Sequence, residues 1–378
     1  MRVFVPKERQ PEERRVAATP ETVKKMVRNG LECLIESGAG TASDVPDEAY
    51  RKAGAEIVDN ASSWREADIV LKVGPVTADE VANFKPGSVA IGFFEPAQNL
   101  AVVRSLKDGN VTSLAMELIP RITRAQTMDA LSSQASIGGY KAVLVAAGRL
   151  GKYFPLLMTA AGTVPPAKVV ILGAGVAGLQ ALATAKRLGA VVEVSDIRPV
   201  VKEQIESLGG KFIPLPEQVE AEDEGGYAKE MGEDFLRKQR EILTERLESA
   251  DVVITTAQIP GKKAPMLMSK EMVEVMQPGA VVVDMAASSG GNCELTELDR
   301  EVVHNGVLIL GPANLPATMA HDASLLYSRN VMALLEHMLK EGELEIDPED
   351  DVLSGALLTH KGEILHEPTA KLVEEVAS

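Results

Sequence analysis

The chain has 378 residues, long enough for two domains, and its 45% hydrophobic and 25% charged residues are typical of a globular protein with a large core. Its formal net charge of −16 argues against binding to nucleic acid and against direct adsorption on an anionic membrane surface. The two cysteines, Cys33 and Cys293, are too few and too far apart for a disulfide framework or a metal site, and they fit a reducing compartment.

The sequence shows neither a targeting segment nor a membrane span. Met1 to Pro6 reads as a strand and lacks the apolar stretch of a signal peptide. The longest apolar segment, residues 142–161, is interrupted by Arg149, Lys152 and Pro155. A role at a membrane would therefore require docking on a partner that is already there.

Residues 1–120 alternate short strands and helices, which predicts an α/β domain without a glycine fingerprint. The predicted strands are residues 2–5, 32–35, 56–58, 68–73, 89–94 and 112–116. The predicted helices are residues 20–28, 47–52, 78–82 and 100–107. Residues 124–148 then read as one helical stretch, which leads through Pro165-Pro166 into the next unit.

A glycine-rich motif opens that next unit. The apolar run 169–172 predicts a strand buried on both faces, and the alanine-rich run 177–188 predicts the following helix. Gly173, Gly175 and Gly178 lie between them with the spacing G-x-G-x-x-G. The first glycine permits a tight turn, the second lets a pyrophosphate approach, and the third lets the helix pack on the strand. This context predicts dinucleotide binding rather than a plain turn.

Two charged residues and an amide extend this motif. Asp196 follows the second predicted strand, 191–195, where a carboxylate accepts hydrogen bonds from the adenosine ribose and repels a 2′-phosphate. This favours NAD over NADP. Arg198 is placed to attract such a phosphate, so the NADP alternative stays open. Gln258 follows the strand 252–255, at the expected rim of the nucleotide crevice, although a plain strand-end turn explains it too.

The remaining predicted elements are the helices 201–208, 235–247 and 322–340 and the strands 211–213, 281–284 and 307–310, the last of these closing the sheet. The acidic insertion 214–234, which contains Tyr227, fits a mobile functional flap and a disordered loop equally well. We therefore predict two Rossmann-like, doubly wound α/β domains with mostly parallel sheets and a cleft between them. Residues 1–130 and 318–378 form one domain, and residues 131–317 form the NAD-binding domain.

Proton-handling groups are scarce where the cofactor is expected. A dehydrogenase that acts on a hydroxyl or an amine moves a proton besides the hydride, which calls for a His or Lys near the nicotinamide. All five histidines lie in the last quarter of the chain. His321 with Asp322 is a candidate pair, but we favour a helix start in which Asp322 is the N-cap.

The segment 120–134 is rich in hydrogen-bonding side chains for a domain junction: Arg121, Gln126, Asp129 and Ser132. These groups are suited to hold a carboxamide and a ribose, and none is a good proton shuttle at neutral pH. Positioning is their natural role. A polar loop followed by a capped helix explains the same composition, which does not decide between the two.

Several of these stretches carry a family resemblance. Residues 3–20 (VFVPKERQPEERRVAATP), residues 36–40 (ESGAG) and the glycine motif resemble the alanine dehydrogenase and nicotinamide nucleotide transhydrogenase superfamily. Residues 120–134 (PRITRAQTMDALSSQ) and 225–231 (GGYAKEM) resemble specifically the NAD(H)-binding component, domain I, of proton-translocating transhydrogenase. The resemblance covers nearly the whole chain.

The departures from alanine dehydrogenase are also informative. By resemblance, Gly74 stands where that enzyme has its substrate lysine, Glu95 where it has its histidine, and Ser288 where it has a carboxylate, whereas Arg15 is retained. Hydride transfer directly between two nicotinamides moves no substrate proton, so a site without an acid or base is sufficient for it. The alternatives are an oxidoreductase like alanine dehydrogenase and a non-catalytic NAD sensor.

The resemblance implies an NAD(P)⁺ transhydrogenase that is active only with partner subunits. This chain would bind NAD(H), a separate domain III would hold NADP(H), and a membrane domain would couple hydride transfer to proton translocation. It also implies a homodimer in the cytoplasm, attached through its partners to the inner face of the membrane. The cluster of Arg121, Gln126, Asp129 and Ser132 would orient the nicotinamide, with Gln126 also reaching toward domain III, and Tyr227 would lie on a loop that closes over the nucleotide. No metal is expected.

Overall fold

The computed structural model describes residues 1–215, 233–259 and 261–377. The chain divides into two compact units: unit 1 consists of residues 1–134 and 317–378, and unit 2 of residues 135–316. Within the described ranges, every helix is too short or too polar to cross a membrane.

The helices and strands follow in chain order. The first third of the chain forms β1 (Arg2–Val5), α1 (Pro20–Arg28), β2 (Glu32–Glu36), α2 (Asp47–Ala53), β3 (Glu56–Val58), α3 (Asn60–Glu66), β4 (Ile69–Leu71), α4 (Ala78–Val81), β5 (Val89–Gly92), α5 (Leu100–Asp108) and β6 (Thr112–Ala115). The middle of the chain forms α6 (Ala130–Arg149), β7 (Leu157–Thr159), β8 (Gly162–Val164), β9 (Lys168–Leu172), α7 (Val176–Arg187), β10 (Val191–Ser195), α8 (Lys202–Ser207), β11 (Lys211–Phe212), α9 (Glu233–Leu247), β12 (Val252–Thr255), α10 (Lys270–Glu274), β13 (Val281–Asp284), β14 (Glu301–His304) and β15 (Val307–Leu310). The carboxyl-terminal stretch forms α11 (Ala320–Met338), β16 (Leu339–Lys340), β17 (Glu343–Leu344), α12 (Leu353–Ala356), β18 (Leu357–His360), β19 (Glu363–Ile364) and α13 (Glu367–Ala377).

Unit 1 is built on an eight-stranded sheet with the order β19-β18-β6-β5-β4-β1-β2-β3. Strands β1 to β6 are parallel, and β18 and β19 add antiparallel pairs at one edge. Successive residues of β1 enter different cores, because Val3 and Val5 belong to one buried cluster and Phe4 to another. The sheet is therefore covered on both faces, as a doubly wound parallel sheet requires.

Unit 2 has a seven-stranded sheet with the order β11-β10-β9-β12-β13-β15-β14. Six of these strands follow the 3-2-1-4-5-6 order of a dinucleotide-binding sheet, and only β14 is antiparallel. Val169 and Ile171 of β9 belong to one core cluster, and Val170 and Leu172 to the other. The expected α/β class with mostly parallel sheets is confirmed by these two sheets.

Several local expectations were wrong. Strand β15 does not close its sheet, because β14 pairs beyond it in antiparallel register. The helical stretch expected from residue 124 is divided into a 3₁₀ turn, Thr123–Met128, and α6, since Asp129 between them has a non-helical ψ of 85°. Helix α11 begins at Ala320 with Met319 as its N-cap, so Asp322 lies inside the first turn and is not the cap. The hairpin β7–β8, helix α3 and strands β18 and β19 were not expected.

Unit 1 buries a carboxyl group beside this sheet. The Oε1 atom of Glu117 accepts hydrogen bonds from the backbone N–H groups of Phe94 at 2.7 Å and Glu95 at 2.6 Å. Its Oε2 atom is buried and has no hydrogen-bond partner in the described part of the chain. Burial raises the pKa of Glu117 to about 7, above its ordinary value of 4.5.

We predict that Glu117→Gln stabilises unit 1 at alkaline pH. Because the folded-state pKa is raised, the stability that this carboxyl contributes is fully present below about pH 4.5 and is lost as the pH rises through about 7. Glutamine stays neutral, so the free energy of unfolding should rise by about 1–3 kcal/mol at about pH 8.5 and change little at about pH 5. Chemical denaturation at both pH values measures this, with the exposed Glu374→Gln as control. An equal effect at both pH values would contradict the prediction.

Candidate functional site

The turn from β9 into α7 depends on glycine at two positions. Gly173 has a φ of +104°, a backbone conformation that side chains with a Cβ rarely adopt. At Gly178, a Cβ atom would lie 1.9 Å from the carbonyl oxygen of Gly173. Strand and helix therefore approach so closely that only glycine fits, as expected from the spacing of the motif.

Gly175 has a different environment. A Cβ added there would have nothing within 4 Å, so its space is open. Gly175 is the N-cap of the twelve-residue helix α7, and no side chain caps the helix at this point. The first N–H groups of α7 and its positive dipole end thus face an open position, which suits the pyrophosphate of a dinucleotide.

Asp196, at the end of β10, is tied to the same turn. Its Oδ2 atom accepts a hydrogen bond from the N–H of Ala174 at 2.7 Å and another from Arg198 Nη2 at 2.9 Å. Its Oδ1 atom accepts from Arg198 N and Nε, both at 2.9 Å. The guanidinium of Arg198 is thus paired with Asp196, and a ribose would have to compete with it for the carboxylate.

The two other residues expected at the nucleotide differ in what can be described. Gln258 is exposed after β12, and its Nε2 donates to the carbonyl oxygen of Met285 at 3.0 Å. It lies at the carboxyl end of the parallel strands, next to the point where the strand order reverses between β9 and β12. Tyr227 lies outside the described residues. The assignment of these residues to the nucleotide stays a prediction.

Unit 1 carries the second cluster expected from the sequence. The 3₁₀ turn Thr123–Met128 and the first turn of α6 border a cavity of about 180 Å³. The residues that line it are Pro120, Arg121, Ile122, Ala125, Gln126, Asp129 and Ser132. All four polar residues singled out in the sequence therefore meet at one cavity. His321 does not line it; that residue lines a separate cavity with Thr19 and Asp44.

Asp129 and Ser132 have a structural role besides lining the cavity. The Oδ1 atom of Asp129 accepts the N–H of Ser132 at 2.8 Å, and its Oδ2 atom accepts the Ser132 hydroxyl at 2.5 Å. Asp129 directly precedes α6, so it satisfies an N–H group that has no partner inside the helix. The alternative of a capped helix is therefore realised, and the cap itself faces the cavity.

Sequence analysis missed a buried residue behind this cluster. Asn330 of α11 donates from Nδ2 to the carbonyl oxygen of Thr127 at 2.8 Å and accepts from the hydroxyl of Ser133 at 2.7 Å. An asparagine at a buried position of a long helix is a local signal of such a role, because a buried amide requires partners.

The ionic groups of unit 1 are paired with one another. Glu13 accepts from Arg15 Nε at 2.9 Å and Nη2 at 2.6 Å, and Arg15 Nη1 donates to Gln134 at 2.9 Å. The side chains of Arg15 and Glu13 are only 8% and 4% exposed. Lys72 Nζ lies 3.0 Å from the carboxylate of Glu80. Arg15 and Lys72 are therefore held by internal carboxylates.

The positions that depart from alanine dehydrogenase lie in plain structural settings. A Cβ added at Gly74 would lie 3.0 Å from Gln10 Oε1, so the space beside Gly74 is filled by that side chain. Glu95 has a positive φ of 48°, and its N–H is bound by Glu117. Ser288 lies in the 3₁₀ turn Ala287–Ser289 of unit 2.

Together the two units offer different chemistry. Unit 2 presents an uncapped helix N-terminus and a carboxylate at its switch point, which suits a dinucleotide. Unit 1 presents a small polar cavity whose groups can hold a carboxamide and a ribose. Among the described residues that line this cavity there is no histidine, lysine or cysteine. The cavity can position a ligand, but it offers no ready proton shuttle at neutral pH.

Comparison with known proteins assigns both halves of the chain to one family. Residues 4–138 match the description "Alanine dehydrogenase/PNT, N-terminal domain", and residues 142–367 match "Alanine dehydrogenase/PNT, C-terminal domain". The first of the separate parts of NAD(P) transhydrogenase subunit alpha in Rhodospirillum rubrum is 49% identical over 376 residues, which cover 97% of this chain and 98% of the relative.

A solved structure and a more distant relative agree with this assignment. The crystal structure of transhydrogenase from Sinorhizobium meliloti has a TM-score of 0.88 and 44% identity, and the match covers 96% of this chain and 100% of that chain. Alanine dehydrogenase of Mycobacterium tuberculosis is 32% identical, over 98% of this chain and 96% of the relative. The resemblance inferred from the sequence is confirmed. The chain therefore belongs to the alanine dehydrogenase/PNT family, and NAD(P) transhydrogenase alpha subunits resemble it more than alanine dehydrogenase does.

Proposed function

We propose that this chain is the NAD(H)-binding subunit of a proton-translocating NAD(P) transhydrogenase. Hydride passes directly from NADH on this chain to NADP⁺ held on a partner subunit. The composition of the unit 1 cavity carries this proposal. Its described lining offers hydrogen bonds through Arg121, Gln126, Asp129 and Ser132 but no ready proton shuttle, and transfer between two nicotinamides needs none.

The residues of this chain bind and orient the cofactor, which itself supplies the hydride. In unit 2, the amides at the start of α7 hold the pyrophosphate above Gly175, and Asp196 receives the adenosine ribose. In unit 1, Gln126 and Arg121 hold the nicotinamide end, with Asp129 and Ser132 fixed against each other at the start of α6. Arg198, Tyr227 and Gln258 contribute at the nucleotide's periphery.

Partner subunits complete the enzyme. The relatives from Rhodospirillum rubrum and Haemophilus influenzae are named as alpha subunits, or as a portion of one, which supports an assembly with further subunits. A separate subunit holds NADP(H), and a membrane domain couples hydride transfer to proton movement, which releases roughly 2.3 kcal/mol per proton across about 100 mV. The chain acts as a homodimer in the cytoplasm, bound through its partners to the inner face of the membrane.

We predict that Gly175→Ala and Gly178→Ala have opposite effects. A methyl group at Gly175 projects into open space, so the melting temperature should change by less than about 2 °C while NADH binding weakens by about tenfold or more. A methyl group at Gly178 collides with the Gly173 carbonyl, so that variant should lose stability first. Calorimetric titration with NADH and thermal melts measure both. Unaltered NADH affinity in Gly175→Ala would place the pyrophosphate elsewhere.

We predict that Asp196→Ala changes cofactor selectivity by releasing Arg198. NADH binding should weaken by about tenfold, because the ribose loses its acceptor. NADPH binding should strengthen, because the freed guanidinium can pair with the 2′-phosphate. Direct titration with both nucleotides measures the ratio. The double variant Asp196→Ala/Arg198→Ala is the control and should lose the gain in NADPH affinity. A ratio that stays constant in the single variant counts against the ribose assignment.

We predict that Gln126→Asn slows hydride transfer by about tenfold or more and leaves NADH affinity within a few-fold. The shorter side chain keeps the amide but withdraws it from the cavity, and small displacements at a reacting centre are costly. Stopped-flow measurement with the NADP-binding partner gives the transfer rate. The exposed Gln98→Asn, outside the cavity lining, serves as control. A large loss of NADH binding instead would assign Gln126 to affinity and not to transfer.

A further inference from the structure

One buried amide spans the polar cavity of unit 1 from behind. Asn330 is only 8% exposed, and both ends of its side chain are engaged. Its Nδ2 atom donates to the carbonyl oxygen of Thr127 at 2.8 Å. Its Oδ1 atom accepts the hydroxyl hydrogen of Ser133 at 2.7 Å. A single side chain of α11 therefore holds the 3₁₀ turn and the first turn of α6.

The two contact points flank the cavity residues in sequence. Thr127 directly follows Gln126, and Ser133 directly follows Ser132. Between these points the chain leaves the helical conformation at Asp129, where ψ is 85°. A break of this kind is a place where two short elements can move relative to each other, and a buried tie across it prevents that movement.

The tie continues into a buried ion pair. Gln134 Nε2 donates to the Ser133 hydroxyl at 3.2 Å and to the carbonyl oxygen of Ala323 at 3.1 Å. Gln134 Oε1 accepts from Arg15, which Glu13 holds in turn. The cavity segment is thus connected to α11 and to the amino-terminal segment of unit 1. Networks in which every member is satisfied are rigid.

We propose that Asn330 is a positioning residue for hydride transfer: it fixes Gln126, Asp129 and Ser132 in one arrangement around the nicotinamide. The inference rests on the proposed function. Hydride transfer requires reacting atoms about 3–3.5 Å apart, and a displacement of about 1 Å can cost about 100-fold in rate. Asn330 makes no contribution to affinity in this account, because it lies behind the cavity and does not line it.

Only a group that both donates and accepts can make this tie. Leucine has a similar size but leaves the Thr127 carbonyl and the Ser133 hydroxyl without their partner. Aspartate accepts from Ser133 but, when ionised, has no hydrogen to donate to the Thr127 carbonyl. Ser328→Ala provides a matched control on the same helix, because the Ser328 hydroxyl contacts Thr19 and the Leu325 carbonyl and not the cavity segment.

The first test compares Asn330→Leu and Asn330→Asp with Ser328→Ala in the full chain with its NADP-binding partner. We expect hydride transfer to slow by about 10- to 100-fold in both Asn330 variants while the Kd for NADH stays within about threefold. If transfer is as fast as in the control, or if the loss is wholly in NADH affinity, the positioning role is wrong.

A milder variant guards against a failure to fold. Ser133→Ala removes one of the two contacts and should slow transfer by about three- to tenfold. In a double-mutant cycle, Ser133→Ala should add little to Asn330→Leu, because both remove the same tie. Fully additive effects would overturn the proposal.

Hydrogen exchange of peptides covering residues 120–134 tests the tie without any hydride transfer. The N–H groups of Ala125 and Ser132 are hydrogen-bonded inside this segment. We expect their exchange to accelerate about tenfold or more in Asn330→Leu and to stay constant in Ser328→Ala. Unchanged exchange overturns the proposal. If exchange accelerates but the wild-type chain transfers no hydride with its partner, the proposed function fails and the tie stands.

Discussion

The close approach of α7 to the end of β9 determines the geometry of unit 2. A Cβ at Gly178 would lie 1.9 Å from the Gly173 carbonyl oxygen, so any other residue would push the helix away from the strand. At that distance the uncapped amides of α7 face open space above Gly175, and Asp196 of the neighbouring strand reaches the N–H of Ala174. Pyrophosphate and ribose positions thus follow from one steric constraint.

Unit 1 depends on a different principle, the internal pairing of buried charge. Removing Arg15 and Lys72 from water is costly unless carboxylates compensate them, and Glu13 and Glu80 do so within 3.0 Å. These cations are then structural, because each already has its counter-ion. What remains at the cavity is a set of groups that form hydrogen bonds and exchange protons poorly. This is the composition that a site for positioning needs and that a site for acid–base chemistry lacks.

The sequence predicted the features that depend on local pattern. The apolar strands, the helix 20–28 and the glycine spacing are read directly from residue periodicity and turn chemistry. It failed where tertiary context decides. Strand β14 is polar and half-exposed at a sheet edge, so no apolar run marks it. The pairing of Arg198 with Asp196 and the tie from Asn330 to Thr127 join groups whose proximity no spacing announces, although the convergence of Arg121, Gln126, Asp129 and Ser132 on one cavity was accessible because they share one short segment.

A hydride transfer without proton transfer places all control in geometry. When a substrate must gain or lose a proton, the protonation state of an acid or base can limit the rate. Between two nicotinamides no such step exists, so distance and orientation alone determine how fast the hydride moves. In the proposed function, a coupled proton reaction on another subunit can therefore act on this one only through the position of its nicotinamide. A rigid cavity segment serves that coupling, because a loose segment would absorb a small displacement that a rigid one transmits.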